Sequence, residues 1–139
     1  MVPVRTDESG FSLVEFLVAM VILSVGILGL LQAVNIAISH NMTNQLRLDA
    51  TLLADAELSR ELSKGGTSTG FDAISTPTSP HVSNYPVRRQ VMSGFRSYSV
   101  TRTNTVITDN TKQIAVQVRW RYKGAPYTHE ASSLISRKQ

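Results

Sequence analysis

The residues of this chain best placed to do chemistry are Gly10-Phe11-Ser12-Leu13-Val14-Glu15, at the border between a mostly polar stretch and an apolar run. Glu15 is a carboxylate near the start of that run. From Phe16 to Leu31 no residue is charged, and Ser24 is the only small polar interruption. The run is close to the roughly 20 residues a helix needs to cross a bilayer. An acid at mid-bilayer costs about 2.5–3.5 kcal/mol on insertion scales, so an acid kept in such a segment reads as functional. The Gly10–Phe11 bond is the candidate processing point. A cut there would remove a polar leader, residues 1–10, and keep the apolar segment, unlike an ordinary secretory signal, whose cleavage site follows its apolar core.

Other chemistries find little support. His40, His81 and His129 are far apart and lack metal-ligand spacing. No Gly-x-Ser-x-Gly, HExxH or phosphate-loop motif is present. There is no cysteine, which removes disulfide frameworks and thiol metal sites. The chain is read as a non-enzyme with no cofactor and no metal. At 139 residues it has room for one domain plus an anchor.

The elements that must carry the border motif follow from composition and period. No proline occurs from Phe11 to about Ser63, and Lys64-Gly65-Gly66 supplies a basic last turn and a glycine cap. One helix over that span would be about 80 Å long at 1.5 Å per residue. Its first half, 11–35, is the hydrophobic membrane or assembly segment. Ser24, Gly26 and Gly29 lie within it and mark a place for helix softening, since each glycine costs about 1 kcal/mol against alanine. Its second half, 36–64, is amphipathic: Ile38, Met42, Leu46, Leu53 and Leu62 fall near one stripe, with Asp49, Asp55, Glu57, Arg60 and Glu61 largely elsewhere.

Residues 65–94, rich in Gly, Ser, Thr and Pro, are expected to be a loop region with a short strand near Val87–Val91. Residues 95–139 are expected to form an antiparallel sheet. Ile114, Val116, Val118, Trp120 and Tyr122 alternate with polar residues on one face. Lys123-Gly124-Ala125-Pro126 reads as a turn before a returning strand over Tyr127 to about Ile135, and Phe95 to Ile107 makes a further strand. The fold class is α+β: one long N-terminal helix packed on a small antiparallel sheet of three to four strands.

The Gly10–Glu15 motif, the apolar stretch and the helix-loop-sheet order together resemble type IV pilins and the pseudopilins of type II secretion. Within that family, Ser24-Val25-Gly26-Ile27-Leu28-Gly29-Leu30 and Ile114 to Trp120 look like the pilus-modification (PilV-like) minor pilins. The resemblance implies that a prepilin peptidase cuts between Gly10 and Phe11 and N-methylates Phe11. It implies a single-pass anchor in the inner membrane with the sheet outside, and later transfer with other minor and major pilins, through inner-membrane assembly machinery, into a pilus or its tip. Glu15 would then meet the Phe11 amine of a neighbouring subunit, which suits a carboxylate in low dielectric. Gln32, where major pilins commonly carry a helix-kinking proline, favours a minor pilin or pseudopilin. A type II secretion pseudopilin is the alternative within the family.

Charge offers a rival from another class. Residues 1–10 carry a net −1, residues 11–64 a net −2, and residues 65–139 a net +7. Arg88, Arg89, Arg96, Arg102, Arg119 and Arg121 interleave with Tyr85, Tyr98 and Tyr122, a pattern a DNA-uptake subunit would show. Alternating Arg on an exposed strand face also keeps a sheet soluble, and that reading is preferred to nucleic-acid contact.

Overall fold

A computed structural model describes residues 12–65, 67–74, 81–91 and 94–137. The element order is α1 (Leu13–Lys64), α2 (Ser68–Ala73), β1 (His81–Val91), β2 (Gly94–Thr108), β3 (Thr111–Tyr122) and β4 (Ala125–Ser136). Residues 12–41 form one unit, the apolar part of α1. Residues 42–137 form another, containing the rest of α1, α2 and the sheet.

In the second unit the four strands run as an antiparallel meander in the order β1-β2-β3-β4. The part of α1 from Met42 onward packs on one face of it. Leu46, Ala50, Leu53 and Ala54 are buried there, spaced as one stripe of a helix. Opposite them lie Tyr98, Val100, Val116, Val118 and Trp120. The β3 alternation buries every second residue from Lys112 to Trp120. The arrangement is the α+β one expected, with four strands. Ile38, assigned to the stripe by spacing, is instead 61% exposed within the first unit.

Two further expectations need correction. The region 65–94 is not all loop: it holds α2 and a β1 that begins at His81, well before Val87. Its proline hides the strand from a propensity reading. Pro86 is tolerated because β1 is an edge strand, where a missing N–H breaks no ladder. Within α2, Thr67 is the N-cap and its Oγ1 accepts from the Gly70 N–H at 3.1 Å. Gly70 is required by close approach, since a Cβ there would lie 1.7 Å from the Lys64 carbonyl oxygen. The β3–β4 turn is shorter than expected: Lys123 and Gly124 both have positive φ (48° and 83°), and the strand resumes at Ala125.

The second correction concerns Glu61, placed by spacing off the apolar stripe but 1% exposed in the structure. Its Oε1 accepts from Arg102 on β2 and from Lys64 one turn along the helix. Two other ties cross the layers: the Tyr85 hydroxyl donates to Glu57 Oε2 at 2.6 Å, and Arg89 lies 3.4 Å from Asp49. Lys112 is also buried. Its Nζ donates to the Phe71 and Ile74 carbonyls at 2.7 and 3.0 Å and sits 4.4 Å from the Phe71 ring centre, fastening α2 to the sheet.

These ties make two predictions. Arg102→Met leaves the buried Glu61 carboxylate with Lys64 alone and should destabilise the second unit by about 3 kcal/mol, read as a lower urea midpoint for the full chain in detergent. Tyr85 is pushed from 10.0 up to about 12, first by burial and then by the hydrogen bond to Glu57 and its charge. The folded chain therefore holds this proton more tightly than the unfolded chain. That stability is complete below pH 10.0 and is lost as pH climbs toward about 12. Tyr85→Phe removes the titrating group and should flatten the fall in urea midpoint across that window, while the neutral-pH midpoint drops by the lost hydrogen bond to Glu57, worth about 1.5–3 kcal/mol.

Candidate assembly segment at the start of the helix

The start of α1 is built as a capping box. Ser12 stands at the N-cap, and its carbonyl accepts the first helical bond, from the Phe16 N–H at 3.2 Å. The Ser12 hydroxyl oxygen accepts from the Val14 N–H at 3.3 Å. Glu15, three residues on, reaches back so that its Oε2 accepts from the Ser12 N–H at 3.0 Å. Two amides that a helix start leaves without partners are satisfied in this way. The negative charge also sits where the helix dipole favours it.

Glu15 thus has a partner inside its own chain, which the sequence reading, occupied with a neighbouring subunit, passed over. The signal was present: Ser-x-x-Glu directly before an apolar run is the pattern of a capping box. Glu15 is exposed, and among the described residues it forms no ion pair. The cleavage and methylation positions Gly10 and Phe11 lie outside the described residues.

Beyond this start the helix is apolar all round. Every large apolar side chain from Leu13 to Ile38 is exposed, between 49% and 76%. In water so much contiguous apolar surface would drive association, and the segment fits an apolar setting such as a bilayer. The helix is long and apolar enough to cross a membrane. The three residues proposed for softening sit within it without breaking it. Ser24 turns its hydroxyl inward, donating to the Met20 carbonyl at 2.7 Å. A Cβ at Gly26 or Gly29 would meet nothing within 4 Å, so the chain's own packing does not demand glycine at either position.

Residues 5–31 match a family described as the prokaryotic N-terminal methylation motif. No curated protein and no solved structure matches the chain. The matched stretch covers the Gly10–Phe11 border, the capping box and the first part of the apolar helix. Together with the helix-on-sheet unit, it supports a type IV pilin-like or pseudopilin protein, a structural subunit in kind, and the apolar helix fits a membrane-anchored one. A prepilin-type leader implies processing by a prepilin peptidase.

Substitution separates the capping geometry of Glu15 from its charge. Ser12→Ala removes only the hydroxyl acceptor and should weaken the helix start by about 1 kcal/mol. Faster hydrogen exchange at the amides of Leu13 to Phe16 in detergent micelles would report it, with exchange beyond Met20 unchanged. Glu15→Gln keeps an oxygen for the Ser12 N–H and should leave those amides protected, although it removes the charge.

Proposed function

We propose that this chain is a minor type IV pilin of the pilus-modification kind, which primes, initiates or modifies pilus assembly once its leader is removed. The observation that carries the reading is the methylation-motif match over residues 5–31, with Glu15 as the one acid at the mouth of the uncharged stretch Phe16–Leu31. The peptidase would cut between Gly10 and Phe11 and methylate the new amine of Phe11. Before assembly the apolar half of α1 anchors the chain in the inner membrane, with the sheet unit in the periplasm. In the pilus the same half packs among the helices of other pilins.

The physics of the first turn supports a specific exchange during assembly. In the anchored chain the Glu15 carboxylate is held by the Ser12 N–H, a charge-assisted hydrogen bond to a neutral donor. A methylated Phe11 amine from a neighbour offers it a full opposite charge in a medium of low dielectric. There an unpaired charge is costly and a paired one strongly held. The exposed apolar side chains around Glu15 give two such helices a surface along which to close. Ser24, Gly26 and Gly29 would let the helix stretch or bend as it enters the bundle.

The intact mass of the protein purified from peptidase-competent cells should correspond to a chain beginning at Phe11 and carrying one added methyl group. A mature protein still beginning at Met1 would overturn the reading. Gly10→Ala should accumulate as unprocessed precursor in the membrane. Glu15→Val should insert at least as readily as the parent, since it removes an acid whose insertion cost is about 2.5–3.5 kcal/mol at mid-bilayer, yet co-purify poorly with other pilins. Deleting the gene separates pilus from secretion duty: loss of pili supports the minor-pilin role, and loss of secretion with pili intact assigns a pseudopilin.

A further inference from the structure

The ladder between β2 and β3 stops at the pair Ser99–Arg119. Beyond it, β2 continues back to Gly94 paired with β1, and β3 continues on to Tyr122 paired with β4. The sheet therefore forks into two hairpins at this end. Among the described residues, 95–98 of β2 and 120–122 of β3 have no strand pairing with each other. Alternate main-chain N–H and C=O groups along both inner edges are left to be satisfied by something else.

A cavity of about 620 Å3 lies at the fork. Four aromatic side chains line it, Phe95, Tyr98, Trp120 and Tyr127, with the Trp120 ring stacked 5.7 Å from Tyr127 and tilted against Tyr98 at 6.1 Å. Arg96, Arg119 and Arg121 also line it, and none of them has an ion-pair partner among the described residues. Trp120 is only 5% exposed, yet its indole N–H has no acceptor among the described residues. Buried donors are nearly always paired, so this one calls for an oxygen that those residues do not supply.

We infer that the fork binds an extended, acidic peptide segment of a partner protein by strand addition. The two free edges specify a peptide main chain, whose own N–H and C=O groups match their spacing. The three guanidinium groups select carboxylates among its side chains, and a carbonyl or carboxylate oxygen would satisfy Trp120. The free stretch of β2 is about 13 Å long at 3.3 Å per residue, enough to hold about four residues of the incoming strand. A single-stranded nucleic acid would use the arginines and the rings but would leave both edges unpaired, so the peptide is favoured. The inference concerns the second unit and does not depend on leader cleavage or on the kind of filament the chain joins.

Trp120 is the only tryptophan of the chain, so its fluorescence reports the fork directly. The full-length protein in detergent at low salt is titrated with a peptide of about eight residues alternating Glu and Val, a usual strand length. A saturable change in Trp120 emission is expected. The affinity should fall by about tenfold or more in the Arg119→Gln, Arg121→Gln double variant, since two charge-assisted bonds to carboxylates are lost. Both positions are exposed, and an unchanged circular dichroism spectrum verifies the fold. The same peptide N-methylated at alternate amides should bind far more weakly, because its main chain can no longer pair. The inference is overturned by no saturable change, by equal binding of the N-methylated peptide or of a Lys-Val peptide, or by an oligothymidine that binds more tightly and displaces the acidic peptide.

Discussion

Two alanines one turn apart govern the second unit. Ala50 and Ala54 are fully buried between α1 and the sheet, where larger side chains would hold the layers apart. Because they are small, the sheet can bring Val100, Val116 and Val118 onto the helix backbone, while Leu46 and Leu53 fill the space to either side. Interiors packed at crystal-like density leave little slack for a change of volume at such a contact. The close approach brings the polar ends of the interface within reach as well. Glu57 meets the Tyr85 hydroxyl and Glu61 meets Arg102 because the layers are near enough for side chains of ordinary length.

Those polar ties add specificity that the apolar stripe lacks. A stripe of Leu and Ala on a valine-rich face tolerates sliding, since one methyl is much like another. A buried carboxylate does not. Moved by one turn, Glu61 would lose Arg102 and remain charged in a desolvated site, at a cost well above that of a missing methyl. The same reasoning applies to Lys112, whose ammonium is tolerated because two carbonyls of the α2 region and the face of Phe71 surround it. Arg137 approaches Phe71 too, 5.2 Å from the ring centre, and pairs with Asp72. A short helix that could not stand alone is thus held by two cations and one ring.

The parts of this architecture that follow period were legible in the residues, and the parts that depend on a partner far away in sequence were not. The strict alternation from Ile114 to Trp120 and the Lys64-Gly65 helix end rest on local geometry, and both stand in the structure. The first part of β1, before Val87, was hidden because Pro86 and a run of polar residues mask a strand whose support comes from pairing with β2 across the sheet. Glu61 looked solvated because its partner, Arg102, is 41 residues away. The fork between β2 and β3 could not be read at all: Trp120 looks like plain core in sequence and Tyr98 like one aromatic among interleaved arginines, and only the end of the ladder at Ser99–Arg119 shows the aromatic floor of a cavity. The capping box is the opposite case, a local pattern that was fully visible but eclipsed by a longer-range meaning for the same acid.

The capping contact of Glu15 alters the energetics of carrying an acid at the head of an apolar helix. An acid with no partner would oppose insertion in every chain, assembled or not. Here the Ser12 N–H already donates to the Glu15 carboxylate at the exposed start of the helix. The carboxylate is therefore partly satisfied before any other contact forms, and such a contact must compete with a hydrogen bond that is already made. Its net gain is the difference between an ion pair and a charge-assisted bond to an amide, which is smaller than the value of the ion pair alone. The extensive apolar surface behind it, and not this one charge, is then the main source of adhesion open to the helix.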